Sequence, residues 1–263
     1  MRFLRKFLMK IKTPEEIEIM KEGGQRLSDI LRIISERVVP GVATEDLDKF
    51  ARELIEQGGD KPAFLHYKPD FSTKPFPATL CISVNDEIVH GIPSNRLLVA
   101  GDLVGLDLGV EHKSLFTDMA VTVPVGNVSE SDKNLMRVTK EALTAALAVV
   151  RVGAYLSDMG EAIEKIVHPA GFSIVEELGG HGVGHKIHEE PFIAHFKTNS
   201  KDKLEVGQTL AIEPMINAGG KEVVFNKKDG YTVRTADGKN SAHYEITLAV
   251  TEKGADVLTP IFW

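Results

Sequence analysis

Four acidic residues of this 263-residue chain stand inside apolar runs that are typical of buried strands. They are Asp107 in GDLVGLDLG, Asp118 in FTDMAVT, Glu213 in TLAIEPM and Glu245 in HYEITLAV. A buried carboxylate is costly without a counter-charge, and these runs contain no Lys or Arg. Two divalent cations would balance four negative charges, so the pattern predicts a dinuclear metal site that could activate water for hydrolysis.

Strand alternation places small residues beside the two aspartates. Asp107 shares its strand face with Gly105 and Gly109, and Asp118 shares its face with Ala120. These small neighbours leave room for an ion. A single acid of this kind could instead be a turn residue, a helix cap or the partner of a Lys, but several acids inside apolar strands favour metal ligands.

Three histidines, at positions 181, 185 and 188, occur in the glycine-rich segment GGHGVGHKIHEEP. Glycine lets the backbone approach an ion closely, and neutral imidazole binds Mn, Fe, Co or Zn. We predict His181 as a metal ligand, His188 as a proton donor that faces the substrate, and His185 as a solvated surface residue. His90 lies in a turn-like stretch before Gly91, where a packed loop residue and a catalytic residue are equally compatible with the pattern.

Helix and strand signals alternate in a way that could place these residues together. The capping box at Thr13 begins one helix, Thr44 begins a second, Ser129 or Ser131 a third and Ser157 a fourth. The predicted strands are 78–84, 102–109, 116–124, 172–177, 182–187, 208–216, 221–225, 231–234 and 243–250. The order of helix, helix and strands therefore occurs twice, which indicates an α+β chain built from two related halves in one domain.

Composition and charge exclude several classes of protein. The net charge of −7 argues against a general nucleic-acid binder, and no apolar run is long enough to span a membrane. The single cysteine, Cys81, rules out an intrachain disulfide framework and fits a reducing cytoplasm. Residues 1–10, MRFLRKFLMK, are expected to form a loosely attached basic extension or, less simply, a membrane tether. We expect a monomer, because no unusual exposed apolar segment is evident.

Eight motifs together resemble the bacterial, type I methionine aminopeptidases, over residues 11 to about 260. They are IKTPEEIEIMKEGG, CISVNDEIVHGIP, GDLVGLDLG, FTDMAVT, GGHGVGHKIHEEP, GQTLAIEPMINAG, KDGYTVRT and HYEITLAVTEKGADVLT. The resemblance implies the pita-bread fold, with two pseudo-symmetric halves of helices and strands around a central antiparallel sheet. It also implies a single catalytic domain at 11–263, which removes the initiator methionine from peptides and nascent proteins when the second residue is small.

The resemblance assigns roles to the predicted site residues. Asp107 would chelate one metal, His181 and Glu213 would complete the other, and Asp118 and Glu245 would bridge both. The nucleophile would be a water or hydroxide between two ions of Co, Mn, Fe or Zn, and Glu213 would take up its proton. His90 would contact the substrate near its amine and scissile nitrogen, and His188 would stabilise the oxyanion. Transient ribosome association is a further expectation.

The pocket for the methionine side chain departs from the usual family pattern. Residues 62–77 are longer than is common, and Phe64 stands where a cysteine is usual. Phe76 stands for a tyrosine, Ile187 for a phenylalanine and Tyr231 for a tryptophan. These four residues are expected to form an apolar pocket without cysteine-directed chemistry.

Two other functions remain open at this point. A proline-specific peptidase could share the fold, although such relatives usually carry an additional N-terminal domain. A catalytically inactive relative could hold a ribosome, RNA or protein partner, but such proteins lose metal ligands and this chain keeps the complete set.

Overall fold

The computed structural model describes residues 11–69 and 72–263, so the predicted extension at 1–10 lies outside the described residues. The helices are α1 (Pro14–Ser35), α2 (Thr44–Gln57), α3 (Glu130–Val149) and α4 (Leu156–Val167), with a 3₁₀ turn at His168–Ala170. The strands of the first half are β1 (Lys61–Pro62), β2 (Leu80–Val84), β3 (Glu87–Val89), β4 (Leu103–His112) and β5 (Leu115–Pro124). Those of the second half are β6 (Ser173–Ile174), β7 (Gly180–Gly182), β8 (Glu189–Ile193), β9 (Thr209–Ile212), β10 (Met215–Asn217), β11 (Val223–Phe225), β12 (Val233–Thr235), β13 (Ser241–His243), β14 (Ile246–Thr251) and β15 (Gly254–Val257).

Helix starts follow the predicted capping signals. Thr13 Oγ1 accepts a hydrogen bond from the Glu16 amide at 3.2 Å, and the Thr13 amide donates to Glu16 Oε2 at 2.8 Å. This reciprocal pair is the capping box predicted at Thr13. Ser129 Oγ caps α3 by accepting a hydrogen bond from the Asp132 amide at 3.1 Å, without the reciprocal bond of a capping box. Helix α4 begins at Leu156, one residue before the predicted start.

Two antiparallel sheets form the centre of the molecule. In the first, β4 pairs along its whole length with β5 and on its other side with β2. In the second, the strand order is β15-β14-β9-β7-β8. A bridge joins the two sheets, since the Glu245 amide donates to the Ala120 carbonyl at 2.9 Å. The acids of both sheets are thereby brought to one junction.

The two halves repeat the same arrangement. Helices α1 and α2 pack on the first sheet, while α3 and α4 pack on each other and on strands of the second half. Helix α2 begins at Thr44 and α4 at Leu156, 112 positions later. Each is preceded by an isolated bridge, at Ala43 and at Tyr155. One buried apolar core runs through all four helices and both sheets, and the α+β prediction is confirmed. Among the described residues, no helix is long and apolar enough to cross a bilayer.

Three strand predictions are wrong in detail. Only residue 182 of the predicted strand 182–187 lies in a strand; the rest belongs to the turn between β7 and β8, where Gly184 adopts a φ of +142°. The predicted strand 208–216 is interrupted at Pro214, which has no amide proton for a sheet ladder. The predicted strand 243–250 is likewise divided into β13 and β14 at residues 244–245.

Candidate metal centre

Side chains from five separate places in the sheets converge at the junction. Asp107 comes from β4, Asp118 from β5 and His181 from β7, while Glu213 follows β9 and Glu245 precedes β14. Potential ligand atoms lie within 4.8 Å of one another in each of three groups, which share members. The groups are Asp107–Asp118–Glu245, His181–Glu213–Glu245 and Asp118–His181–His188. Asp118, His181 and Glu245 each belong to two groups, so the potential donors lie close enough together for two adjacent cations that share ligands.

Strand register leaves the space that the carboxylates need. Asp107 lies opposite Ala120, and Asp118 lies opposite Gly109, across the β4–β5 pair. A Cβ atom at Gly109 would come within 2.9 Å of Phe64 and 3.0 Å of Ile187. Glycine at this position therefore permits the strands and the neighbouring apolar wall to approach closely.

Burial dominates the electrostatics of the four acids. Removal from water raises the pKa of Asp107 to about 7 and that of Glu213 to about 7. Burial, reinforced by neighbouring carboxylates, raises the pKa of Asp118 and Glu245 well above their usual ranges. Among the described residues, Asp107 Oδ1 and Glu245 Oε1 are buried without a hydrogen-bond partner. Orphaned carboxylate oxygens of this kind fit divalent cations, which supply the missing charge and coordination.

His181 is oriented as a metal ligand. Its Nδ1 lies 2.9 Å from the Gly182 carbonyl oxygen, which can only accept, so Nδ1 carries the proton. Its Nε2 faces the acids, 3.5 Å from Glu213 Oε1 and 3.8 Å from Asp118 Oδ2. These separations are suitable for donor atoms that share one ion.

His188 and His90 adjoin the metal-ligand cluster. The ring centroid of His188 lies 4.4 Å from that of His181 and 5.1 Å from that of Tyr67. Solvent reaches part of His188, yet the surrounding protein and the nearby His181 and His90 lower its pKa to about 2. Burial lowers the pKa of His90 to about 4. Both imidazoles are therefore neutral near pH 7, and each can donate one N–H group.

An apolar pocket of about 260 Å³ opens directly beside these groups. Three residues predicted to contact substrate, Phe64, Phe76 and Tyr231, line it. The Tyr231 hydroxyl donates to the Lys74 carbonyl, and its ring meets Phe76 edge to face at 5.1 Å. Ile187 is buried in the same apolar cluster, but it faces the adjoining outer cleft.

Comparison with known proteins agrees with this geometry. The profile of metallopeptidase family M24 matches residues 18–252. Methionine aminopeptidase 1 of Bacillus subtilis (strain 168) is 41% identical over 95% of this chain and 98% of its own length. Methionine aminopeptidase of Aquifex aeolicus (strain VF5) is 42% identical over 94% of this chain and 96% of its own length. The chain belongs to the methionine aminopeptidases of metallopeptidase family M24.

Solved structures of methionine aminopeptidases superpose closely. The structure from Thermotoga maritima gives a TM-score of 0.91 at 38% identity, covering 97% of this chain and 100% of its own. The structure from Rickettsia prowazekii gives 0.92 at 33% identity, covering 96% and 100%. A Xaa-Pro dipeptidase from Bacillus anthracis gives 0.76 at 22% identity, covering 96% of this chain and 62% of that chain, and so shares the fold alone. The predicted family, pita-bread fold and class of metal-dependent aminopeptidase are confirmed.

Two pocket residues were not anticipated from the sequence. Tyr67 and Cys81 both line the methionine aminopeptidase pocket of this chain. The pocket does contain a cysteine, although not at position 64, because pairing of β2 with β4 places Cys81 opposite Asp107. Burial raises the pKa of the Cys81 thiol well above its usual range, so the sulfur is a neutral, polarisable surface.

Two buried histidines lie close to Glu213. His195 Nε2 accepts a hydrogen bond from the Glu213 amide at 3.3 Å. His243 Nε2 lies 3.6 Å from Glu213 Oε2 and 4.0 Å from Glu245 Oε2. Burial lowers the pKa of His243 to about 4 and that of His195 to about 3. In the sequence, the only indication for His243 was that it shares a strand face with Glu245. No sequence feature pointed to His195.

His185 lies partly at the surface, as predicted, but it also has a partner that the sequence did not reveal. Its side chain is 33% exposed, and its Nε2 lies 2.7 Å from Glu16 Oε1. Folding brings the start of α1 against the turn between β7 and β8, a contact that local sequence does not reveal.

Proposed function

We propose that this chain removes methionine from the N-terminus of peptides and nascent proteins, with a preference for a small second residue. The observation that carries the proposal is the apolar pocket, whose lining includes the side chains of Asp107, Asp118, His181, Glu213 and Glu245. An apolar pocket of this size beside the reactive groups would accept one side chain at the chain terminus. The methionine aminopeptidases that are about 40% identical to this chain support this choice of substrate.

The five side chains divide between two cation positions. Asp107 would hold one cation, His181 and Glu213 would hold the other, and Asp118 and Glu245 would contact both. Bound cations of Co, Mn, Fe or Zn would supply the positive charge that acidifies water and polarises the scissile carbonyl. The set of four carboxylates and one imidazole is compatible with each of these metals.

The protein groups around the ligands would move protons and hold the substrate. Glu213 would accept the proton of the attacking water, with its backbone fixed by His195. His188, neutral near pH 7, would donate a hydrogen bond to the carbonyl oxygen as negative charge develops there. His90 would hold the substrate near its amine and scissile nitrogen from the opposite wall of the pocket.

The pocket walls would select the methionine side chain. Phe64, Phe76 and Tyr231 provide apolar and aromatic contact, and the Cys81 thiol adds a polarisable surface. Ile187 would support the wall from the outer cleft. Tyr67, with its ring 5.1 Å from that of His188, lines both the pocket and the adjoining outer cleft and would contact the second residue of the substrate.

Peptide cleavage with defined metals tests the proposal. Protein stripped with a chelator and reloaded with Co²⁺, Mn²⁺, Fe²⁺ or Zn²⁺ under anaerobic conditions should release methionine from Met-Ala-Ser. Met-Leu-Ser should be cut more slowly, and Ala-Pro-Ser should remain intact. Release of Xaa from Xaa-Pro peptides in preference to methionine would favour a proline-specific peptidase. Failure to release methionine with any metal would refute the proposal.

We also propose a cytoplasmic, monomeric enzyme with residues 11–263 as one catalytic domain that contacts the ribosome only transiently. A continuous core that includes helices of both halves supports a single domain. Neither a membrane nor a nucleic-acid substrate is part of the proposal. Light scattering and co-sedimentation with ribosomes at increasing salt concentrations test these points.

A further inference from the structure

The segment that enters α1 is fastened to the turn that carries His188. Lys12 Nζ lies 2.6 Å from Glu189 Oε2, and the two side chains are only 1% and 6% exposed. The Lys12 amide also donates to the Gly207 carbonyl at 2.8 Å, so the lysine backbone is fixed against a third segment. A buried ion pair with this geometry ties two parts of the chain that are distant in sequence.

The same carboxylate shapes the turn itself. Glu189 Oε1 accepts a hydrogen bond from the Lys186 amide at 2.9 Å, which closes the chain around Ile187 and His188. One carboxylate oxygen of Glu189 pairs with Lys12 and the other accepts from the Lys186 amide. Glu189 therefore links the N-terminal segment to the backbone two residues before His188. Residues 183–188 between β7 and β8 are called the histidine turn below.

A second contact runs parallel to the first. Glu16 Oε2 accepts from the Thr13 amide in the capping box, while Glu16 Oε1 lies 2.7 Å from His185 Nε2. One carboxylate therefore both begins α1 and holds the histidine turn. Helix α1 is anchored by its packing on β4 and β5, which carry Asp107 and Asp118.

The backbone of the turn lies directly on these side chains. A Cβ atom at Gly184, where φ is +142°, would come within 3.1 Å of Lys12 Nζ and 3.3 Å of Met20 Sδ. The Gly184 carbonyl also accepts from the Phe116 amide at 2.7 Å, in the strand that carries Asp118. The turn is thus held to the sheet that carries Asp107 and Asp118 through both backbone and side chains.

We propose that Lys12 and Glu16 act as positioning residues, which hold the histidine turn so that His188 faces the scissile carbonyl. The inference rests on the proposed function, because it assigns a purpose to the placement of His188. Loops are intrinsically mobile, and displacement of a catalytic group by about 1 Å can cost on the order of 100-fold in rate. Neither residue touches the pocket, so their effect would be transmitted through Glu189 and His185.

The kinetics of Lys12→Met test whether Lys12 positions the histidine turn, and Lys21→Met is the matched control. Lys21 lies within α1, and its ion pair with Asp256, at 3.2 Å, is exposed and involves no residue of the histidine turn. We expect kcat of Lys12→Met on Met-Ala-Ser to fall by about 10-fold to 100-fold. KM and bound metal per chain should stay within about 3-fold of the unmodified protein, and Lys21→Met should match that protein throughout.

A double-mutant cycle separates positioning from general structural support. If Lys12 acts through His188, Lys12→Met should reduce kcat much less in a His188→Ala background than in the unmodified protein. Equal losses in both backgrounds, or a lower melting temperature with unchanged kcat, would overturn the proposal. His185→Gln removes the imidazole that lies 2.7 Å from Glu16 and 3.8 Å from Glu189, so it should also reduce kcat several-fold. This variant keeps the test decisive if Lys12→Met does not fold.

Hydrogen exchange provides a readout that does not depend on activity. Amides of the histidine turn should exchange at least several-fold faster in Lys12→Met and in His185→Gln, while those of β4 and β5 remain protected. Unchanged amide exchange rates in the histidine turn would contradict a positioning role for Lys12 and Glu16. If the unmodified protein fails to cleave methionine peptides, the proposed function falls, while the exchange result still decides whether these contacts hold the turn.

Discussion

Metal-free protein should lose stability as the pH rises from 5 to 8. In its folded form burial raises the pKa of Glu213 from 4.5 to about 7 and that of Asp107 from 3.8 to about 7. Between pH 5 and 7 the folded state therefore binds more protons than the unfolded state. Stability contributed by the protonated acids is fully present below their unfolded pKa values and is lost as the pH rises through about 7.

The size of the effect follows from the pKa difference. One pKa unit corresponds to about 1.4 kcal/mol, so Glu213 alone accounts for roughly 3 kcal/mol between pH 5 and 8. For a protein of this size, such a change moves the melting temperature by roughly 6–12 °C. Glu213→Gln removes the titration, so the variant should lose less stability over this pH range. Exposed Glu130, whose side chain is 89% accessible, offers Glu130→Gln as a matched control.

Thermal unfolding in the presence of EDTA measures this prediction. The unmodified protein and Glu130→Gln should show the full decrease in melting temperature from pH 5 to 8, and Glu213→Gln a smaller one. Saturating Mn²⁺ should stabilise the unmodified protein far more at pH 8 than at pH 5, because protons compete with the cation. The reasoning would be refuted if the melting temperature of the metal-free protein stayed constant or rose from pH 5 to 8 and if Glu213→Gln behaved like Glu130→Gln. The carboxylates would then not be buried without compensating charge.

Three further variants test the site. Asp118→Asn should lose bound metal and methionine release together, measured by metal analysis and peptide cleavage; normal activity at normal metal content would contradict a bridging carboxylate. His243→Leu should weaken divalent-cation binding by roughly 10-fold to 100-fold in calorimetry, since it removes the group beside Glu213 Oε2; unchanged affinity would exclude a supporting role. Tyr231→Ala should lower kcat/KM on Met-Ala-Ser by roughly 10-fold to 100-fold through lost apolar contact, and an equal rate would remove it from the pocket.

Local chemistry made much of the fold predictable. The capping box at Thr13 and the cap at Ser129 mark helix starts because both satisfy free amides within four residues of sequence. Apolar alternation around Asp107 and Asp118 likewise marked β4 and β5. The predicted strand bounds were wrong in the second half, where the chain turns at Gly184 and where Pro214 separates β9 from β10 within one continuous apolar run.

Sequence determined which groups are available for chemistry: acids in apolar runs, a histidine among glycines, and no basic residue in those runs to neutralise the acids. Those features depend only on neighbours along the chain. Tertiary structure alone decided that Cys81 faces the pocket, that His243 and His195 support Glu213, and that Lys12 reaches Glu189. The physical reason is that these contacts arise from sheet register and from packing between distant segments, which leave no periodic trace in the sequence.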